Sequence, residues 1–169
     1  MSDKYSKVST PSVDLSDFDH ISQADLAYDD RVGIDAALRE AQHSGYSTQV
    51  GACVQGMSAW NEEVYSDVQH HAETLALLRC ARAGIPTHGA TMYAPWASCL
   101  QCAMAIQAAG IKRVVVLNTL MRKTPERWLT SVEKGLSLLW DYGVRVDVID
   151  VQEGYFGYNI RMDGKEVKV

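Results

Sequence analysis

The stretch HAETLALLRCARAGIPTHGATMYAPWASCLQCAMAIQAAGIKRVVVL, residues 71–117, decides the fold. Residues 74–83 are strong helix formers closed by Gly84 and stopped by Pro86. Residues 91–94 read as a short strand, and Ser98 can cap a helix over 99–109 that ends before Gly110. Residues 113–117 form a β-branched run typical of a strand buried on both faces. Helix and strand alternating in this way demand right-handed crossovers and parallel pairing.

Outward from this stretch the pattern stays regular. Upstream, Ile34, Ala37, Leu38 and Ala41 recur at helical spacing, with Ser22 as a cap and Gly45 as a close. Val50, Ala52 and Val54 then alternate, and beyond Gly56 residues 57–60 return as the second arm of a hairpin. Downstream, Thr124 caps a helix whose first residue is Pro125 and whose apolar side carries Trp128, Leu129, Val132, Leu136, Leu139 and Trp140. Val144, Val146 and Val148 make a further strand, and Asp163-Gly164 turns a terminal hairpin. The class is α/β, a three-layer α/β/α arrangement around a mixed sheet of about five strands with parallel central crossovers. Residues 1–21, rich in Ser, Asp and Lys, read as a flexible N-terminal arm, and residues 22–169 as a single domain.

A length of 169 residues with 47% hydrophobic content suffices for one core. The longest apolar runs are too short to cross a bilayer, and MSDKYSKVST lacks a signal peptide's apolar stretch, so a soluble, cytoplasmic protein without membrane contact is expected. A net charge of −5 disfavours nucleic-acid polymers as partners. Cys53 and Cys80 sit among apolar neighbours and read as buried core residues.

Cys99 and Cys102 form a C-x-x-C at a helix start, where residues three apart share a face and the dipole favours thiolates. Alone, the pair could be two core residues, a dithiol redox couple or a metal site. His71 breaks the tie. It opens another helix, and both helix starts can meet at one edge of a parallel sheet, where ligand sites of open α/β sheets gather. One imidazole and two thiolates leave a fourth tetrahedral position open, as in catalytic zinc centres. Glu73, at the same helix start, can reach that position as a base. His70 reads as solvent-facing or supporting, and His20, His43 and His88 as surface histidines.

HAE followed by a helix, then GATMYAP, then CLQCAMAIQAAGIKRVVV resembles the cytidine and deoxycytidylate deaminase family, whose zinc signature is H-x-E followed by P-C-x-x-C. The resemblance runs from about Val50 to Leu117 and leans toward the deoxycytidylate branch. It implies a cytidine deaminase-like fold and one zinc per chain on His71, Cys99 and Cys102, with Glu73 moving protons. It further implies hydrolysis of a free cytosine nucleotide, dCMP to dUMP and ammonia, by attack of zinc-activated water on C4. Cytidine, deoxycytidine or cytosine are the alternative substrates, and an inactive zinc-stabilised binding protein is the alternative class. Asn61 resembles the family's asparagine that grips sugar or base. Ala72, Trp96 and Ser98 are the other expected substrate contacts, although Ser98 stands where the family has proline. A homo-oligomer is implied. Elemental analysis of purified protein should find one zinc per chain, with activity lost on chelation; metal-free protein whose activity ignores chelators contradicts the ligand assignment.

Overall fold

The computed structural model describes residues 15–66 and 68–169. In chain order these form β1 (Asp19–Ser22), α1 (Tyr28–Ala41), β2 (Gly51–Val54), β3 (Met57–Trp60), β4 (Glu63–Tyr65), β5 (Val68–Gln69), α2 (Ala72–Ala83), β6 (Thr91–Tyr93), α3 (Leu100–Ala108), β7 (Arg113–Leu117), α4 (Asn118–Met121), α5 (Glu126–Asp141), β8 (Arg145–Asp150), β9 (Asn159–Met162) and β10 (Lys165–Lys168).

Six strands make the main sheet in the order β1-β8-β7-β6-β2-β3. The pairs β6/β7, β7/β8 and β1/β8 are parallel, while β2 runs antiparallel to both neighbours. The parallel crossovers and the hairpin follow the sequence reading. The sixth strand does not: β1 falls at the end of the expected arm, and it pairs along its whole length with β8, from Asp19 opposite Asp147 to Ser22 opposite Asp150. The ordered body therefore begins before residue 22, with Phe18 buried against the edge-on ring of Trp140. Residues 1–14 of that arm lie outside the described residues. Ser22 consequently belongs to a strand, and the first helix starts at Tyr28.

Helices cover both faces. On one side α1 packs on β2, β3, β6 and β7. An added Cβ on Gly51 would stand 1.9 Å from the Ala37 carbonyl oxygen, so the absent side chain is what lets α1 and β2 touch. On the other side α2 lies over β2 and β3, α3 is wedged between α2 and α5, and α5 reaches β8. This double cover explains why β2 and nearly all of β7 are buried on both faces. Cys53 and Cys80 are buried, unbridged core residues, as expected. No described helix is long and apolar enough to cross a membrane.

The reading of α5 changes, and β8 holds a buried charge. On α5 the buried stripe is Val132, Gly135, Leu136 and Leu139, while Leu129 and Trp140 are exposed. The small residues Ser131 and Gly135 set the close-contact line and rotate the helix toward α3. In β8 the alternation of Val146 and Val148 would leave Asp147 facing water on a one-sided sheet. Here it is fully buried. Arg113 compensates, its Nε donating to Asp147 at 2.6 Å and its two terminal nitrogens gripping Asp30 of α1 at 2.6 and 2.8 Å. These hydrogen bonds push the Arg113 pKa above its already high ordinary value. The triad ties α1, β7 and β8 together. Asp147 is also met by Arg145, whose Nε donates to its other oxygen at 2.6 Å. Arg113→Met should cost about 3–5 kcal/mol in chemical denaturation, because buried Asp30 loses its bidentate partner and Asp147 one of its two cations; a loss below about 1 kcal/mol would contradict the triad's role.

Candidate metal centre and its pocket

The site forms at the edge of the sheet where β3 and β6 end. Strand β3 runs parallel to β6 because both pair antiparallel with β2, so the chain leaves both at the same edge. From β3 it passes through the β4/β5 hairpin into α2, and from β6 through residues 94–99 into α3. His71 and Cys99 each occupy the extended residue just before a helix, with φ/ψ of −78°/144° and −66°/167°. Cys102 lies in the first turn of α3, so the C-x-x-C spans the helix start. Cys99 is itself the cap, and Ser98 is not. Instead the Leu100 N–H donates to Ser131 Oγ of α5 at 3.2 Å.

His71 Nδ1 stands 3.4 Å from each of the sulfurs of Cys99 and Cys102. The three donor atoms lie within 4.8 Å of one another. A tetrahedral zinc with nitrogen at ~2.0–2.1 Å and sulfur at ~2.3 Å places such donors roughly 3.5 Å apart, so this donor set fits the ion as it stands. Among the described residues no fourth His, Cys, Asp or Glu joins the group. His70 stays outside it, its backbone N–H donating to Glu62. Catalytic zinc centres take three protein ligands and closed structural ones take four.

Glu73 projects from the first turn of α2 and is only 4% exposed. The Cys102 thiol lies 3.4 Å from its Oε2. Burial raises its pKa, against the opposing pull of its own backbone N–H and of His71. The Ser98 hydroxyl is buried beside it without a hydrogen bond of normal geometry, and favours the charged carboxylate weakly. The Cys99 thiol is lowered to about 4 by hydrogen bonds from Cys102 and His71, which outweigh burial. Cys102 is pushed up by the Cys99 sulfur and by burial. A proton shared between the sulfurs thus leaves Cys99 as the readier thiolate. Thr74 Oγ1, 3.7 Å from Cys102 Sγ, supports the second sulfur.

A pocket of about 610 Å³, counting its open mouth, leads to these groups. His71, Glu73, Cys99, Asn61 and Trp96 all line it. Ala72 and Ser98 are buried behind its wall. Asn61 is held rigidly: its Oδ1 accepts from the Val50 N–H at 2.8 Å, and its Nδ2 donates to the Thr48 carbonyl at 2.9 Å and to Gln69 Oε1 at 3.0 Å. Trp96 donates from Nε1 to Thr124 Oγ1 at 2.9 Å and meets Trp128 edge-on. Thr124, expected as a helix cap, is thereby the anchor of an aromatic wall. Trp128 in turn meets the His71 ring edge-on, at 6.3 Å between centroids.

Sequence reasoning missed what α5 gives the site. Trp128, Ser131 and Gly135 lie along one line of that helix, and an added Cβ on Gly135 would stand 2.6 Å from the Ser98 carbonyl oxygen. The helix is pressed onto the backbone that carries Cys99. A mid-helix glycine one turn from a serine is the signal that could have shown it.

The family model of the cytidine and deoxycytidylate deaminase zinc-binding region matches residues 28–118, over half of the chain. The protein belongs to the cytidine and deoxycytidylate deaminase family. ComE operon protein 2 of Bacillus subtilis (strain 168) is 48% identical over 44 residues, 26% of this chain and 23% of that protein. Deoxycytidylate deaminase of Enterobacteria phage T4 is 44% identical over 55 residues, 32% of this chain and 28% of that protein. The matches thus span less than a third of these relatives. Among solved structures, dCMP deaminase of the cyanophage S-TIM5, in complex with dCMP and dUMP, superposes with a TM-score of 0.59 at 21% identity, covering 73% of this chain and 98% of that one. The diaminohydroxyphosphoribosylaminopyrimidine deaminase/5-amino-6-(5-phosphoribosylamino)uracil reductase of Thermotoga maritima gives 0.56 at 21% identity, over 70% of this chain and 36% of that one. Both likenesses are of fold.

Gly135→Ala should loosen the Cys99 loop and weaken zinc binding roughly 10- to 100-fold in a chelator-competition titration. Unchanged zinc affinity would show that α5 does not set the position of Cys99.

Proposed function

We propose that this protein is a hydrolytic deaminase of a free cytosine nucleotide, converting dCMP and water to dUMP and ammonia. The observation that carries the reading is the buried Glu73 carboxyl in the pocket wall, beside a His-Cys-Cys donor set that takes three positions of a tetrahedron. A purely structural metal has no use for a poised base beside it. Zinc held by His71, Cys99 and Cys102 would act as a Lewis acid that makes a water nucleophilic near neutral pH.

The remaining chemistry belongs to the chain. Glu73 takes a proton from the water whose oxygen adds to C4 of the ring and delivers it to N3. It then carries a proton to the exocyclic amine, which departs as ammonia while the C4 oxygen becomes a carbonyl. Its raised pKa suits a group that must both accept and return a proton. Asn61, fixed by Val50 and Thr48, would offer its amide to the sugar or the base carbonyl, exchanging the Gln69 contact for the substrate. Trp96 and Trp128 supply an apolar wall for the ring, and their crossed packing keeps that wall from collapsing. Together these groups hold C4 in an attack geometry rather than leaving it to chance encounter.

A nucleoside substrate is the second reading. It is favoured by one observation: Arg127, the one arginine or lysine lining the pocket among the described residues, is already paired with Asp163.

Glu73→Gln should retain zinc and fold while ammonia release from dCMP falls by roughly 10²- to 10⁴-fold. Turnover near that of the unmodified protein would place the base elsewhere.

A further inference from the structure

We propose that Arg127 is the receptor for the 5′-phosphate of the substrate, and that Asp163 holds it at the mouth of the pocket until the phosphate displaces it. This rests on the reading of the substrate as a free pyrimidine nucleotide. It assigns a function to residues outside the 28–118 stretch that defines the family.

Three elements meet at the mouth. Arg127 stands in the first turn of α5 and lines the pocket together with Ser47 and Thr48 of the loop before β2. The turn of the β9/β10 hairpin lies behind these lining residues. It is fastened to that loop by the Asp163 N–H donating to Thr48 Oγ1 at 3.1 Å and the Gly164 N–H donating to the Ser47 carbonyl at 2.7 Å. Further along, the Gln49 N–H donates to the Arg161 carbonyl at 2.9 Å and the Arg161 N–H returns a bond to Gln49 Oε1 at 3.0 Å. The hairpin is thus anchored through its backbone, independently of the Asp163 carboxylate. That carboxylate is turned to Arg127, whose Nη1 donates to its Oδ1 at 2.5 Å.

The pair suits exchange. Arg127 and Asp163 are 52% and 48% exposed, and a half-exposed ion pair is screened by solvent and contributes little. Asp163 engages the guanidinium through one nitrogen, whereas a phosphate presents several oxygens to the planar fork and carries up to two charges. The arriving anion therefore competes well against Asp163. A nucleoside brings no anion and leaves the pair closed.

The test compares two variants of the zinc-loaded protein. Arg127→Gln removes the charge, and Asp163→Asn removes its competitor. Asparagine tolerates the positive φ of 53° at residue 163, so the turn is kept. For each, kcat/KM is measured with dCMP and deoxycytidine, and Kd for dUMP and deoxyuridine by calorimetry. The dCMP-to-deoxycytidine ratio of kcat/KM should fall roughly 10- to 100-fold in Arg127→Gln, mainly through KM, with a parallel fall in the dUMP-to-deoxyuridine affinity ratio. Asp163→Asn should tighten dUMP severalfold without tightening deoxyuridine. A ratio unmoved by Arg127→Gln, or nucleotide binding weakened by Asp163→Asn, overturns the proposal. If no ammonia is released from either substrate yet dUMP binding depends on Arg127, the deaminase reading fails while this one stands. If deamination proceeds and the ratios do not move, the reverse holds.

Discussion

The site depends on one topological constraint, that α2 and α3 begin side by side on the same edge of the sheet. Because β2 is antiparallel to both β3 and β6, those two strands point the same way, and the helices that follow them start together. The residue before each helix is extended and projects into the shared space. That is why His71 and Cys99, 28 residues apart in sequence, bring Nδ1 and Sγ within 3.4 Å. Cys102 follows from the helical repeat alone. The positive ends of two helices then favour ionised sulfur and carboxylate at the same spot.

The same constraint creates the electrostatic tension on which the chemistry rests. A carboxyl, two thiols and an imidazole are crowded together, three of the four buried, so not all the acids can ionise cheaply. Burial raises the pKa of Glu73, the Cys102 thiol takes a position against it, and Cys99 is left as the readier thiolate. A divalent cation on the sulfurs would resolve such crowding, and under the proposed function it would leave Glu73 as the group that exchanges protons.

Much of this was legible in the sequence because it depends on local periodicity and spacing. The run Arg113 to Leu117, the turn at Gly56 and the interval between Cys99 and Cys102 each carry their own signal, and His71 is marked by standing at another helix start. What escaped depends on contacts between distant segments. Nothing local to β8 marks Asp147 as a core residue; it is buried against Arg113, which comes from the neighbouring strand. The edge strand β1 is four residues long and polar at three of them, so nothing but its partner β8 marks it. The line Trp128, Ser131 and Gly135 on α5 was hidden because the apolar face appeared to include Leu129 and Trp140. The apparent cap at Ser98 was replaced by a serine from another helix.

The C-terminal part of the chain therefore completes a site whose donors come from its middle. Helix α5 presses on the Cys99 backbone, and the terminal hairpin is hydrogen-bonded to Arg127, Thr48 and Ser47, which line the pocket. The most direct measurement of the central claim is a panel of dCMP, deoxycytidine, cytidine and cytosine incubated with zinc-loaded protein, with ammonia and the uracil product both quantified. The account predicts ammonia and dUMP in equal amounts from dCMP, at a rate above that of the other three. No ammonia from any of the four would contradict it.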